Sequence, residues 1–160
     1  MRRILSALTI IIAFSTMMEA KIACAQLADK KTITLEAAKR MLAAAEAEAK
    51  ANNWNVVIAV VDDGGRLVAL HRMDDSHPIS VDVAPGKART AALFRRPSKQ
   101  IEEAIAKGRF AQVTVPGVVP LEGGLPIVVD GKVIGGIGVS GVLASDDEKI
   151  AQAGLNALIK

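Results

Sequence analysis

Residues 121–142 read LEGGLPIVVDGKVIGGIGVSGV, two apolar runs on either side of Asp130-Gly131. A two-residue type I′ turn needs φ > 0 at both central positions, and Asp followed by Gly adopts that conformation at low cost. The pattern therefore predicts antiparallel strands over 125–129 and 132–139. Lys132, at the turn, is their only charge. Without alternation of polar and apolar positions, the hairpin is expected at the centre of a sheet, covered on both faces by helices or by another subunit.

Glycine is dense here: Gly123 and Gly124 precede the hairpin, and Gly135, Gly136, Gly138 and Gly141 run along its second arm. Glycine weakens a strand, so such a concentration predicts either tight packing or a place where another backbone or a ligand comes close. Gly136-x-Gly138-x-x-Gly141 matches the spacing of a dinucleotide fingerprint, but a fingerprint also needs a βαβ unit and an acidic residue about 20 positions on. Neither is present. A nucleophile elbow fails too, because in Gly138-Val139-Ser140-Gly141-Val142 the second glycine comes one place early for G-x-S-x-G.

The first 25 residues have the features of a cleaved export signal: Arg2 and Arg3, an apolar run over 4–18, and Ala23-Cys24-Ala25 before Gln26. Cleavage there would leave a single domain, residues 26–160, without the only cysteine, Cys24. Disulfides, thiolate metal sites and cysteine nucleophiles are then excluded, although the compartment is expected to be periplasmic or extracellular. Subtracting Arg2, Arg3 and Lys21 from the basic residues and Glu19 from the acidic ones brings the mature net charge to about +1. Nucleic acid and anionic membrane are therefore not implied as partners, and with only Trp54, Phe94 and Phe110 as aromatics after residue 25, base stacking is not either. No membrane span is expected after processing.

Ahead of the hairpin, residues 35–51 carry an apolar stripe at helical spacing, with Thr34 as N-cap and Asn52-Asn53 as a left-handed stop. Glu46 and Glu48 fall on the helix's wet side. Residues 54–61 and 66–73 form a second hairpin across Asp62-Asp63-Gly64-Gly65. By alternation Leu67, Ala69, His71 and Met73 share one face. His71 and Met73 are metal- or haem-ligating types, whereas a strand-end histidine also faces solvent or a helix for purely structural reasons. A loop with His77-Pro78 leads to a helix over about 82–95, capped by Ser80 or Asp82, in which Pro85 is tolerable only in the first turn. Lys87, Arg89 and Thr90 lie within one turn of each other there, as an anion clamp or as a solvated basic stripe. A short helix over 97–107 closes at Gly108, and residues 110–120 form an irregular crossing with one short strand. Ser145 to Glu148 reads as a capping box ahead of a last helix with Ile150, Ala153, Gly154, Ala157 and Leu158 as its buried stripe.

Three stretches in this order, NNWNVVIAVVDDGGRLVALHRMDD, GKARTAAL and LEGGLPIVVDGKVIGGIGVSG, resemble the GlcG/HbpS family, also known as the haem-degrading HbpS-like or DUF336 domain, and within it the GlcG branch. The resemblance implies a profilin-like α+β domain, ordered α-β-β-α-α-β-β-β-α, with an antiparallel sheet of about five strands. It also implies an oligomer, and for some relatives export and haem binding. The matching positions Lys87, Thr90, Glu122, Gly123 and Gly124 mark where a family pocket would lie, whereas Pro85-Gly86, His71 and His77 depart from the family pattern.

Three functions compete. In a haem or tetrapyrrole module, His77, His71 and Met73 are the candidate iron ligands, since tyrosine and cysteine are absent after residue 25, and Lys87 and Arg89 would pair with propionates. In an enzyme or accessory acting on small 2-hydroxy or 2-oxo organic acids, Lys87 or Arg89 would hold the carboxylate and Glu122 would serve as acid or base. The third function is that of an interaction partner of a periplasmic dehydrogenase or sensor. No nucleophile with an obvious partner stands in the sequence, so binding is the expectation over turnover.

Overall fold

A computed structural model describes residues 29–159, with the folded unit beginning at Thr32. The expected export signal, residues 1–25, lies outside the described residues. Helix α1 spans Leu35–Ala51, strand β1 Val57–Asp62, β2 Leu67–Arg72, helix α2 Ser80–Phe94, α3 Ser98–Ala106, β3 Gly124–Val129, β4 Lys132–Ser140 and α4 Ala144–Ile159. The strands form one antiparallel sheet in the order β2-β1-β4-β3.

The β3–β4 turn adopts the expected conformation, with φ of 50° at Asp130 and 72° at Gly131. Only half of that hairpin is central, however. β4 pairs with both β1 and β3, whereas β3 is an edge strand with a bulge at Ile127/Val128 and Val128 exposed. The short strand expected within 110–120 does not form either, so the described residues hold four strands and not five: residues Phe110–Thr114 form a 3-10 turn and the chain then runs irregularly to β3. Pro116 and Pro120 have no N–H to give to a ladder, which explains why this apolar stretch does not pair.

Both faces of the sheet are covered by the chain's own helices. On one face Ile58, Val60, Ile137 and Val139 meet Met41, Leu42 and Ala45 of α1 and Ile150 of α4. Each large aliphatic side chain buried there contributes about 1.5–3 kcal/mol. On the other face α2 presents Ala84, Ala88 and Ala92 to Val57, Ala59 and Val61. Gly136 and Gly138 lie under this helix, where an added methyl would strike the carbonyl oxygens of Ala88 and Ala84. The glycines thus admit another backbone, that of α2.

Helix ends show which local signals hold. The Thr34 hydroxyl accepts the Ala37 N–H at 3.2 Å, and Asn53 takes φ of 57° beyond α1. Helix α2 begins two residues earlier than expected, so Pro85 falls in its second turn, where the carbonyl of Val81 loses its usual helical donor. Helix α4 likewise starts before Ser145, and the expected capping box does not form at its start. Asp147, one turn in, accepts the Val142 N–H at 3.2 Å instead.

Candidate functional site

Two clefts open on this scaffold. The first lies where β4 ends, α2 and α4 begin and the chain enters β1: Trp54, Ile79, Val142 and Leu143 supply apolar walls, and His77, Ser80, Ser140 and Asp146 supply polar atoms. Its volume is about 550 Å³, within the usual range for small-molecule sites. Ile79 and Leu143 remain largely exposed, and so does the His77 side chain. Beneath them the Ser140 hydroxyl donates to Ser80 at 3.1 Å, tying the end of β4 to the first residue of α2. The N-termini of two helices line this groove, with no lysine or arginine among its lining residues, and the Asp146 carboxylate at the start of α4 is paired with Lys149 at 2.7 Å.

The second cleft, about 640 Å³, runs between α1 and the edge strand β2 and holds Glu46, Lys50, His71, Arg72, Met73, Asp74 and Asp75. His71 and Met73 do face the same way, towards α1. The Nδ1 of His71 lies 2.7 Å from Glu46 Oε2, so Glu46, expected on the wet side of its helix, is instead a cross-element partner. Hydrogen bonding to the Lys50 ammonium, and more weakly to His71, holds the Glu46 carboxyl below its ordinary range against an opposing push from burial.

The expected anion clamp is not assembled. Lys87 is neither solvated nor open: its ammonium lies 2.7 Å from Asp147, and the two side chains are 4% and 2% exposed. Burial pushes the Asp147 carboxyl up, while Lys87 and the N–H groups of Val142 and Gly141 pull it down. Arg89 reaches the β1–β2 turn and donates to the Gly65 carbonyl at 3.3 Å. The Thr90 hydroxyl donates to the Gly86 carbonyl at 2.8 Å, lies 3.1 Å from the Val119 carbonyl and accepts the Val119 N–H, pinning the crossing segment to α2. Three neighbours in sequence therefore serve three different contacts.

Glu122, the candidate acid or base, pairs with Lys99 at 2.9 Å, and its own N–H donates to Glu102. Beside it, burial first and the Glu122 charge second raise the Glu148 carboxyl above its ordinary range. Gly123 packs on the Lys87–Asp147 pair, and Gly124 lies against the backbone of Lys87, its N–H donating to Ser98 Oγ at 2.9 Å. Glu122, Gly123 and Gly124 thus adjoin one another and the buried pair, whereas His77 is in one cleft and His71 and Met73 are in the other. The apolar walls of the first cleft were missed in the sequence because Trp54, Ile79 and Leu143 come from three separate segments with no shared motif.

The fold is a small α+β domain, one sheet between helices, with a groove of about 550 Å³ at the start of two of them. The chain belongs to the family described as "Haem degrading protein HbpS-like", whose model matches residues 33–156. It is 52% identical over 111 residues to protein GlcG of Escherichia coli strain K12, covering 69% of this chain and 83% of that protein. Among solved structures it resembles Klebsiella pneumoniae protein ORFY, at 34% identity and a TM-score of 0.80 over 84% of this chain and 95% of that one. It also resembles PduOC, solved as a complex with haem, at 27% identity and a TM-score of 0.74 over 79% of this chain and 95% of that one. Among the described residues no helix is long and apolar enough to cross a membrane.

The first cleft suits a haem group by its own chemistry. It combines apolar walls with an imidazole donor, His77, which is a usual axial ligand type. The second cleft is more polar and carries charges of both signs.

Proposed function

We propose that this protein is an exported haem- or tetrapyrrole-binding module that works as a self-associated oligomer, with the ligand in the groove between Trp54 and Leu143. The observation that carries the proposal is that groove itself: one imidazole beside four apolar side chains, at the start of two helices. His77 would donate to the iron, while Trp54, Ile79, Val142 and Leu143 would cover the macrocycle. The propionates would fall to the N-terminus of α2, because Lys87 is held by Asp147, Arg89 by the Gly65 carbonyl, and the Asp146 carboxylate stands at the start of α4. Bound haem would supply a redox-active iron, and the chain's part is to hold it and limit its exposure to water. Self-association is supported by Phe110, Val113, Val115 and Leu121, which leave apolar surface exposed along the crossing segment, and export by the pattern of residues 1–25.

A haemin titration of the purified protein tests the binding step. The expected result is a shifted Soret band that saturates at a fixed stoichiometry per chain. A linear, non-saturating rise would overturn it.

A further inference from the structure

His71 and Met73 stand one residue apart at the end of β2, so both side chains leave the sheet on the same side, and both line the α1–β2 cleft. Because an ionised carboxylate only accepts, the 2.7 Å contact with Glu46 requires the proton on Nδ1 of His71. In the neutral imidazole the lone pair is then on Nε2. A carboxylate bound to the far nitrogen is the arrangement that fixes ring orientation and strengthens a histidine as a metal ligand.

The geometry points to a site in which His71 Nε2 and Met73 Sδ together bind a soft monovalent cation of the Cu(I)/Ag(I) class, with Glu46 holding the imidazole in place. A thioether beside an imidazole selects such ions, whereas harder divalent ions need more nitrogen or oxygen donors. Among the described residues no group of three or more His, Cys, Asp or Glu side chains is positioned for a metal. Two donors suffice for a d10 monovalent ion, which accepts linear coordination. Haem does not fit this pair. Side chains two positions apart on one strand rise side by side, roughly 7 Å apart at their base, and a porphyrin would have to enter edge-on between them to take both. Asp74 and Asp75 add negative charge at the cleft, opposed by Lys50, which pairs with Glu46, and by Arg72.

Competition for Cu(I) with a chromophoric chelator tests this site, using the full chain in a Cys24→Ser background to remove its only thiol. One equivalent of Cu(I) should leave the chelator. Met73→Leu, which conserves volume, and His71→Ala should each weaken retention at least tenfold. Glu46→Gln should weaken it by about 10- to 100-fold, as loss of an outer partner does, and His77→Ala should leave it unchanged. With Ag(I) as an independent probe, one equivalent should shift the His71 ring and Met73 methyl NMR signals together. That readout stands even if His71→Ala does not fold. Equal Cu(I) retention by wild type and Met73→Leu would overturn the site, as would Ag(I) leaving both signals unmoved or Zn(II) binding as tightly with no dependence on Met73.

Discussion

The Lys87–Asp147 and Glu46–His71 pairs each join distant parts of this chain, and they differ in what surrounds them. Lys87 and Asp147 meet across 60 residues, buried beneath Gly123, and link α2 on one face of the sheet to α4 on the other. Glu46 and His71 meet across 25 residues at a cleft, 26% and 39% exposed. A buried pair has its hydrogen-bonding capacity turned inward, so its loss strands a charge; a half-exposed pair contributes little to folding but leaves one face of its imidazole open. The first belongs to the architecture, the second to chemistry. For this reason the most buried basic residue of the GKARTAAL stretch is not a ligand-holding group in this account.

The largest effect should come from breaking the buried pair on one side. Lys87→Ala is expected to cost about 3–5 kcal/mol, because Asp147 is left buried and uncompensated. The Lys87→Met/Asp147→Leu double variant should recover most of that loss in urea denaturation. If the double variant is as unstable as the single one, the cost lies in packing and not in charge. Gly138→Ala comes next, at about 1–3 kcal/mol, since its methyl must push α2 away from the sheet. A melting temperature equal to wild type would mean that the helix is free to move and the close contact is unimportant.

The exposed pair should give the smallest effect at neutral pH, less than about 1 kcal/mol for Glu46→Gln. Its signature is in acid. A carboxyl whose pKa is lowered by folding contributes stability that is fully present above its unfolded value, near 4.3, and is lost as pH falls through the lower folded value. Glu46 has this sign. Asp147 has the opposite one: burial raises its folded pKa, so ionising it costs stability above that pKa, and acidification relieves the cost. Equilibrium unfolding from pH 6 to 3 should therefore show a shallower acid loss in Glu46→Gln and a steeper one in Asp147→Asn. Parallel curves for the two variants would contradict the comparison.

How much of this was visible in the sequence depends on the range of the forces involved. The Asp130-Gly131 turn, the Thr34 cap and the Asn53 stop are decided within four residues, and each forms as expected. The glycine run correctly marked a close approach, and only the fold reveals that α2 makes it. The hairpin's apolar arms looked equally central because burial on both faces does not reveal which strand finds a second neighbour. β4 pairs with β1, and β3 remains an edge. Asp147 read as one letter of a capping box because its partner, Lys87, is brought to it only by the packing of two helices on opposite faces. Glu46 read as solvated for the same reason, since helical periodicity says nothing of an edge strand arriving with His71. The first cleft was reached through His77 alone, its other walls being scattered along the chain.

Haemin titration of wild type, His77→Ala and His71→Ala side by side, following the Soret band and its position, tests the placement of the haem most directly. Wild type and His71→Ala should both give a saturable, shifted band, and His77→Ala should lose the shift and bind at least tenfold more weakly. Undiminished binding by His77→Ala, with the shift lost in His71→Ala, would contradict that placement and move the haem site to the other cleft.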